Sequence, residues 1–305
     1  MSCTLPDGIY IQPYMDKFPG ATRQDKISNL RRQVQMWKEL GVAGVAWHGF
    51  AGNEYGPWQK LGPELFEMLT QITSEYGLKS LAAYGLGSTK ATYKGEFIGK
   101  VGALKSCDGI LFDMEGAWEN EASDKPDAKK MGAAYRALAP DQWTADQPWF
   151  APASHWSKFP WEETAEFVDE RCPQVYCNNF TKQWGNAAYE KTFAWYMRDW
   201  KKLEARLAPK NLNRPRRPTI QGYAWNNTAD LVNCLTSNPS VFVWCEPFPD
   251  AQFIHGLRIQ KRLANLGFRG PDAVRSFQEN WNATGGRPLA VDNQCGPNTI
   301  SALNL

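Results

Sequence analysis

Two carboxylates spaced two residues apart, Asp113 and Glu115, close the run Gly109-Ile110-Leu111-Phe112-Asp113-Met114-Glu115. If this run is a strand, Ile110, Phe112 and Met114 face one way while Leu111, Asp113 and Glu115 face the other. The acids come only where the strand ends. Such residues lie about 6 to 7 Å apart along the backbone, so in a cleft their charges interact and one proton is held more tightly. A protonated carboxyl beside an ionised one suits acid-assisted cleavage of an acetal, in which one group protonates the leaving oxygen and another supports positive charge at carbon. Glu246, just after a second apolar run, Ser240 to Cys245, is a further candidate acid. The competing reading of Asp113 and Glu115 is a cap, with Glu115 accepting from backbone N–H groups of the next segment.

The elements that would position these groups alternate. Short apolar runs at Gly8–Tyr14, Ala43–His48, Lys79–Tyr84, Gly109–Met114, Trp149–Ala153, Gln174–Cys177, Thr219–Ala224 and Ser240–Cys245 read as strands. Between them, helical periodicity covers Lys26–Leu40, Pro63–Tyr76, Gly95–Lys105, Ala128–Leu138, Trp161–Glu170, Ala187–Leu207 and Thr228–Leu235. Strands alternating with helices predict an α/β fold with a parallel sheet, and eight units in about 245 residues predict a (β/α)8 TIM barrel. A doubly wound sheet would carry a phosphate loop, and Gly85-Leu86-Gly87 is too little to count as one.

A barrel assembles its site from several strand ends. Here those ends carry Gln12 and Tyr14, Trp47 and His48, Tyr84, His155, Tyr176 and Asn178, Gln221 and Tyr223, and Trp244. From these, Tyr14, His48, Tyr84, His155, Tyr176, Gln221, Tyr223 and Trp244 are the candidate substrate-binding residues. The chain holds 14 Trp, 11 Tyr and 15 Phe, and rings at strand ends offer faces on which sugars stack.

Composition narrows the partners. A formal charge of +2, without a dense basic tract, gives no reason to expect nucleic acid. The three histidines, His48, His155 and His255, have no metal-ligand spacing, so neither a metal nor another cofactor is expected. Seven cysteines without a Cys-x-x-Cys pair fit folding in a reducing compartment. The first residues show neither a basic region nor an apolar signal core, and no run of 18 apolar residues occurs. The expectation is a monomer made in the cytoplasm without a signal peptide and not inserted in a membrane.

After Pro247-Phe248-Pro249-Asp250 the pattern becomes wholly helical, dividing the chain into a barrel over 1–249 and a small unit over 256–305. In that unit, Ile259-Gln260-Lys261-Arg262-Leu263-Ala264-Asn265-Leu266-Gly267-Phe268, Ala273-Val274-Arg275-Ser276-Phe277-Gln278, Leu289-Ala290-Val291-Asp292 and Gly296-Pro297-Asn298-Thr299-Ile300-Ser301-Ala302-Leu303 occur in order. The segment from about 257 to 305 resembles the three-helix peptidoglycan-binding domain found beside bacterial and phage cell-wall hydrolases. It departs from that family before the second helix, where Arg269-Gly270-Pro271-Asp272 replaces the usual Asp-Gly and Phe-Gly turn.

More loosely, Phe112-Asp113-Met114-Glu115 on the fourth strand resembles the Asp-x-Glu of lysozyme-type and chitinase-type glycoside hydrolases, families 25 and 18. The further upstream acid of the chitinase type is absent, since Gly109 and Leu111 stand there. Glu115, further out on the strand end and with the longer reach, is the expected general acid, and Asp113 the group expected to orient a 2-acetamido group or support the charge it acquires. Tyr176 is the candidate hydrogen-bonding partner of that acetamido oxygen and Trp244 the candidate floor of a sugar subsite. Together the two resemblances imply an endolysin-type peptidoglycan hydrolase, an N-acetylmuramidase or N-acetylglucosaminidase, acting on wall or periplasmic glycan strands after release. The alternatives are a noncatalytic wall-binding protein on a barrel scaffold and a chitinase-like polysaccharide hydrolase.

Overall fold

The computed structural model describes residues 4–13, 22–51, 63–85, 107–114, 118, 125–152, 158–225, 227–245 and 251–305. Eight parallel strands form one sheet: β1 (Ile9–Pro13), β2 (Gly44–Ala51), β3 (Lys79–Gly85), β4 (Gly109–Asp113), β5 (Trp143–Gln147), β6 (Glu170–Arg171), β7 (Thr219–Gln221) and β8 (Val241–Cys245). Their order is β6-β5-β4-β3-β2-β1-β8-β7, and isolated bridges join β6 to the segment before β7, Arg171 to Arg216, and β7 to the segment after β6, Thr219 to Gln174. Arg171 N–H donates to Pro215 O, Arg217 N–H to Arg171 O, Thr219 N–H to Pro173 O and Val175 N–H to Thr219 O. This ladder continues the sheet around, giving the TIM-barrel-like α/β fold that the alternating pattern predicts.

The helices are α1 (Arg23–Leu40), α2 (Pro63–Glu75), α3 (Lys125–Leu138), α4 (Trp161–Ala165), α5 (Thr181–Trp184), α6 (Ala188–Leu207), α7 (Thr228–Ser237), α8 (Ala251–Asn265), α9 (Ala273–Ala283) and α10 (Pro297–Ala302). Of these, α1 begins three residues before its predicted start. The side chain of Thr22 accepts from Asp25 N–H at 3.1 Å and that of Asp25 from Thr22 N–H at 3.0 Å, a capping box that adds the extra turn. The helix predicted over 95–105 lies outside the described residues.

Strand alternation divides the core in two. Outward residues such as Ile11, Val45, Ile110, Phe112 and Val243 pack under Val34 and Trp37 of α1, Leu69 and Ile72 of α2, and Tyr135 of α3. Inward residues Tyr10, Ala46, Leu81, Leu111, Trp143, Ala145, Cys172 and Phe242 fill the barrel. Gly109 is required beside Trp143, because a Cβ there would stand 2.4 Å from Trp143 O. At the barrel's N-terminal end Arg217 pairs with Glu170 at 2.9 Å, lies 5.0 Å over the Tyr10 ring and donates to Pro6 O and Leu5 O. The segment before β1 thereby covers that end.

Two strands differ from expectation. The fifth is Trp143–Gln147 rather than Trp149–Ala153, and the sixth is Glu170–Arg171 rather than Gln174–Cys177. Helix α4 correspondingly stops at Ala165, so the predicted helix over Trp161–Glu170 gives up its end to β6. Both observed strands are polar in sequence, and their charges are buried in pairs: Asp146 with Arg171 between the two strands, and Glu170 with Arg217. Arg171 binds Asp146, Thr164 Oγ1 and Trp161 O, and its guanidinium sits 5.3 Å from the Trp161 ring centre. Burial pushes the Asp146 carboxyl up from its ordinary value, and the guanidinium of Arg171 opposes that.

The ion pair yields a stability prediction. Asp146→Ala strands a buried guanidinium and should cost about 3–5 kcal/mol in urea unfolding, whereas Asp146→Leu combined with Arg171→Met should recover most of that loss. Equal losses in both variants would contradict the account.

Candidate active site

The C-terminal ends of the strands bring a layer of polar side chains to one mouth of the barrel. Alternation places Gln12 of β1, His48 of β2, Asp113 of β4, Gln147 of β5, Gln221 of β7 and Trp244 of β8 on the inward face. Gln174 joins them from the segment that follows β6, bridged to Trp149 and to Thr219. The apolar filling of Leu81, Leu111, Ala145 and Phe242 lies below this layer.

The glutamines interlock. Gln12 Nε2 donates to Gln147 Oε1 at 3.3 Å, and Gln147 Nε2 donates back to Gln12 Oε1 at 3.0 Å. Gln147 Nε2 also donates to Thr219 Oγ1 at 2.8 Å, whose hydroxyl donates to Cys172 O at 3.2 Å. Gln174 Nε2 donates to Asp113 Oδ1 at 2.9 Å. Gln221 Oε1 accepts from Cys177 N–H at 3.0 Å, and Gln221 O accepts from Trp225 Nε1 at 2.8 Å. Amides buried in a barrel need such partners, because each unpaired polar atom costs free energy.

Asp113 ends β4 in register with Gly85 of β3 and Gln147 of β5. It is half-buried while the four residues before it on β4 are fully buried, so the strand leaves the core at this carboxylate. Across the mouth, His48 meets Trp244 edge to face with ring centres 5.9 Å apart. A register shift between His48 and Phe50 interrupts the pairing of β2 with β3, which resumes at Phe50 opposite Tyr84 and Ala51 opposite Gly85.

Of the sequence candidates, the structure places Asp113, His48, Gln221 and Trp244 at the mouth. Tyr176 stands just before the 3-10 turn Cys177–Phe180 and is half-buried, as is Tyr223 in the segment after β7. Tyr84 is on β3, and its side chain lies outside the description. Glu115, Glu246, Tyr14 and His155 lie outside the described residues. Gln147 and Gln174 were not among the expected binding residues, yet both stand at the centre of the polar layer. Gln147 ends a five-residue strand whose polar composition hid it, and Gln174 stands past the end of β6.

Beyond the barrel, α8 crosses from one core to another. Its Phe253 and Leu257 belong to the barrel's outer core, and its Ile259 and Leu263 pack with Val274, Phe277 and Leu303 of the terminal helices. Gln278 of α9 organises the loop before α10. Its amide donates to Asp292 Oδ1, Gln294 O and Thr299 Oγ1 and accepts from the N–H groups of Asp292 and Asn293.

The sequence matches no protein-family model and no curated protein. Solved structures share the fold. Active domain 2 of a chitinase from Pyrococcus furiosus, studied as catalytic-site mutants, aligns with a TM-score of 0.59 at 12% identity, over 85% of this chain and 97% of that one. The PgaB (BpsB) glycoside hydrolase domain from Bordetella bronchiseptica aligns with a TM-score of 0.56 at 11% identity, over 85% and 98%. An alpha-amylase from Lactobacillus plantarum aligns with a TM-score of 0.51 at 9% identity, over 84% and 80%.

The amide layer makes its own prediction. Gln147→Leu leaves the buried amide of Gln12 and the hydroxyl of Thr219 short of a partner, and should lower unfolding stability by about 1–3 kcal/mol. A chemical denaturation series measures it, and a neutral result would mean that these bonds do not hold the mouth together.

Proposed function

We propose that the protein is a glycoside hydrolase acting on polysaccharides of N-acetylated sugars, with peptidoglycan glycan strands as its substrate. The observation that carries this reading is Asp113, a half-buried carboxylate facing inward where the fourth strand opens at the barrel's C-terminal mouth. Glu115 stands two residues later in the chain. In the proposed reaction Glu115 protonates the glycosidic oxygen as the bond to the leaving sugar breaks, and Asp113 supports the positive charge that grows at the anomeric carbon. If the substrate's own acetamido oxygen attacks that carbon, Asp113 steadies the acetamido nitrogen and no enzyme nucleophile is needed; on either route water then forms the new bond to that carbon and gives its proton to the Glu115 carboxylate. Trp244, half-buried beside His48, offers a ring on which a sugar can stack.

Supporting this reading, the fold is shared with a chitinase domain and with the PgaB glycoside hydrolase domain. The peptidoglycan assignment rests on the helical unit that follows the barrel, whose sequence resembles wall-binding domains. Among the described residues no helix is long and apolar enough to cross a membrane. Chitin is the second reading, favoured because another structure of the Pyrococcus furiosus domain, TM-score 0.58 at 12% identity over 88% of this chain and 98% of that one, holds chito-oligosaccharides.

The experiment is digestion of purified peptidoglycan and of chitin, with mass spectrometry of the released fragments. New reducing ends at N-acetylmuramic acid identify a muramidase and those at N-acetylglucosamine a glucosaminidase, while chito-oligosaccharides alone favour the second reading. Glu115→Gln and Asp113→Asn should each lower turnover about 10²- to 10⁴-fold with an unchanged melting curve. The amide oxygen that Asp113→Asn leaves in place can still accept from Gln174, so the fold is expected to survive. Wall binding without new reducing ends would mean a noncatalytic barrel, and cut peptides would refute the glycosidase class.

A further inference from the structure

We propose that the outer face of α6 is a second binding surface, on which an anionic strand of the substrate polymer lies as it leaves the barrel mouth. This rests on the reading that the barrel acts on a polysaccharide. It favours peptidoglycan, whose peptide stems carry carboxylates, over chitin, which is uncharged. The helix descends the barrel wall from the mouth. The chain reaches it from Gln174 through the turn Cys177–Phe180 and α5. Trp195 packs on Phe150, past the end of β5, with ring centres 5.1 Å apart. Further along the helix, Glu204 pairs at 2.9 Å with Arg216, which precedes β7.

Lys191, Trp195, Arg198, Lys202 and Arg206 stand at i, i+4, i+7, i+11 and i+15, so they form one stripe about 22 Å long. Spaced three and four apart, these cations make no tract in the sequence. All four are exposed, and the side chains of Arg198 and Lys202 are 62% and 64% exposed. Beneath them lies the buried carboxylate of Asp199, 3.2 Å from Arg198 Nε and 3.7 Å from Lys202 Nζ, which also accepts from Trp195 Nε1 at 3.0 Å. Two cations thus share one acid. At the mouth end, Lys191 Nζ lies 5.9 Å from the centre of the Trp184 ring. That ring stacks on Phe180 at 4.9 Å and meets Trp195 edge to face at 6.3 Å. Trp184 and Trp195 are half-buried and braced by these neighbours, so a surface for sugar rings adjoins one for their charges.

Helix stability does not account for the stripe. A cation in the first turn opposes the helix dipole, and Lys191 is there. Arg198 with Lys202, and Lys202 with Arg206, are like charges four residues apart, which weaken a helix. The other acids of α6 lie off the stripe, Glu204 engaged with Arg216 and Glu190 at the flank. Between the mouth and the helix, residues 177–189 add Lys182 and no acid. The whole chain is nearly balanced, with 34 Lys and Arg against 32 Asp and Glu, so the stripe is a local concentration of charge. The apolar face of α6, with Tyr196, Trp200, Leu203 and Leu207, is already buried in the barrel wall. The helix has no such face left to insert into a bilayer, which favours a hydrated polymer over a lipid surface.

The test is co-sedimentation of the full chain with purified peptidoglycan and with chitin as NaCl is raised from about 0.02 to 0.3 M. Arg198→Gln combined with Lys202→Gln should weaken binding to peptidoglycan about tenfold at low salt and little at high salt, where screening removes the same increment from the wild type. Binding to chitin and turnover of a short soluble oligosaccharide should stay unchanged, while Trp184→Leu should weaken peptidoglycan binding at every salt concentration. Circular dichroism checks that each variant is folded. Should the double variant fail that check, Arg198→Gln alone carries the test, with a loss of about threefold. A folded variant that binds peptidoglycan as tightly as the wild type, or wild-type binding that is absent or indifferent to salt, would overturn the proposal. Tighter binding of DNA or of anionic vesicles through the same residues would refute the assigned occupant. If the wild type cleaves no glycan yet holds peptidoglycan through the stripe, the functional reading fails while this surface stands.

Discussion

The barrel depends on how β6 is fastened. This strand contributes two ladder residues, and each has a buried counter-ion on a different side of the sheet. Glu170 faces inward to Arg217, and Arg171 faces outward to Asp146 and the carbonyl of Trp161. Hydrogen bonds alone would leave so short a strand free to slip, whereas exchanging inward for outward residues here would bury four unpaired charges. The lock also spans the seam, because Arg171 ties the strand to β5 while Glu170 ties it to the segment leading into β7. Four residues past Glu170, the same chain delivers Gln174 to the mouth.

That arrangement explains what was legible beforehand and what was not. Strands β1 to β4, β7 and β8 are apolar enough to stand out, and Asp113 could be singled out because it ends such a run. Strands β5 and β6 could not be found by apolar periodicity, since Trp-Thr-Ala-Asp-Gln and Glu-Arg look like surface segments. The more hydrophobic Trp149 to Ala151 stretch drew the prediction instead. Its rings pack outside the strand ladder, with Trp149 on Phe150 and Phe150 on Phe180 and Trp195. Gln147 and Gln174 were hidden for the same reason, because a glutamine's value in a core depends on partners more than a hundred residues away in the case of Gln12.

The terminal helices show a similar sharing of structure across an expected boundary. Helix α8 begins at Ala251, directly after the Pro247-Phe248-Pro249-Asp250 stretch, and is continuous through Asn265. Gly256 lies where a Cβ would stand 2.6 Å from Leu231 of α7, so this face of α8 approaches the barrel closely. Val232 of the same α7 belongs to the core of the terminal helices. The small unit is thus built onto the barrel through two helices that serve both cores, which compensates for a hydrophobic core too small to stand well alone.

Two aspartates on neighbouring strands are sorted by the same alternation. Asp113 and Asp146 both lie near strand ends, and Asp146 stands in register with Phe112, one residue before Asp113. Alternation sends them to opposite faces of the sheet. Asp146 points outward, fully buried against a guanidinium, where no substrate can reach it and its charge is spent in closing the barrel. Asp113 points inward, half-buried, and accepts from the neutral amide of Gln174. That bond comes from a neutral amide, whereas Asp146 faces a guanidinium. The single-residue offset between these strands therefore decides which acid is buried against a guanidinium on the outer face and which one opens at the barrel mouth.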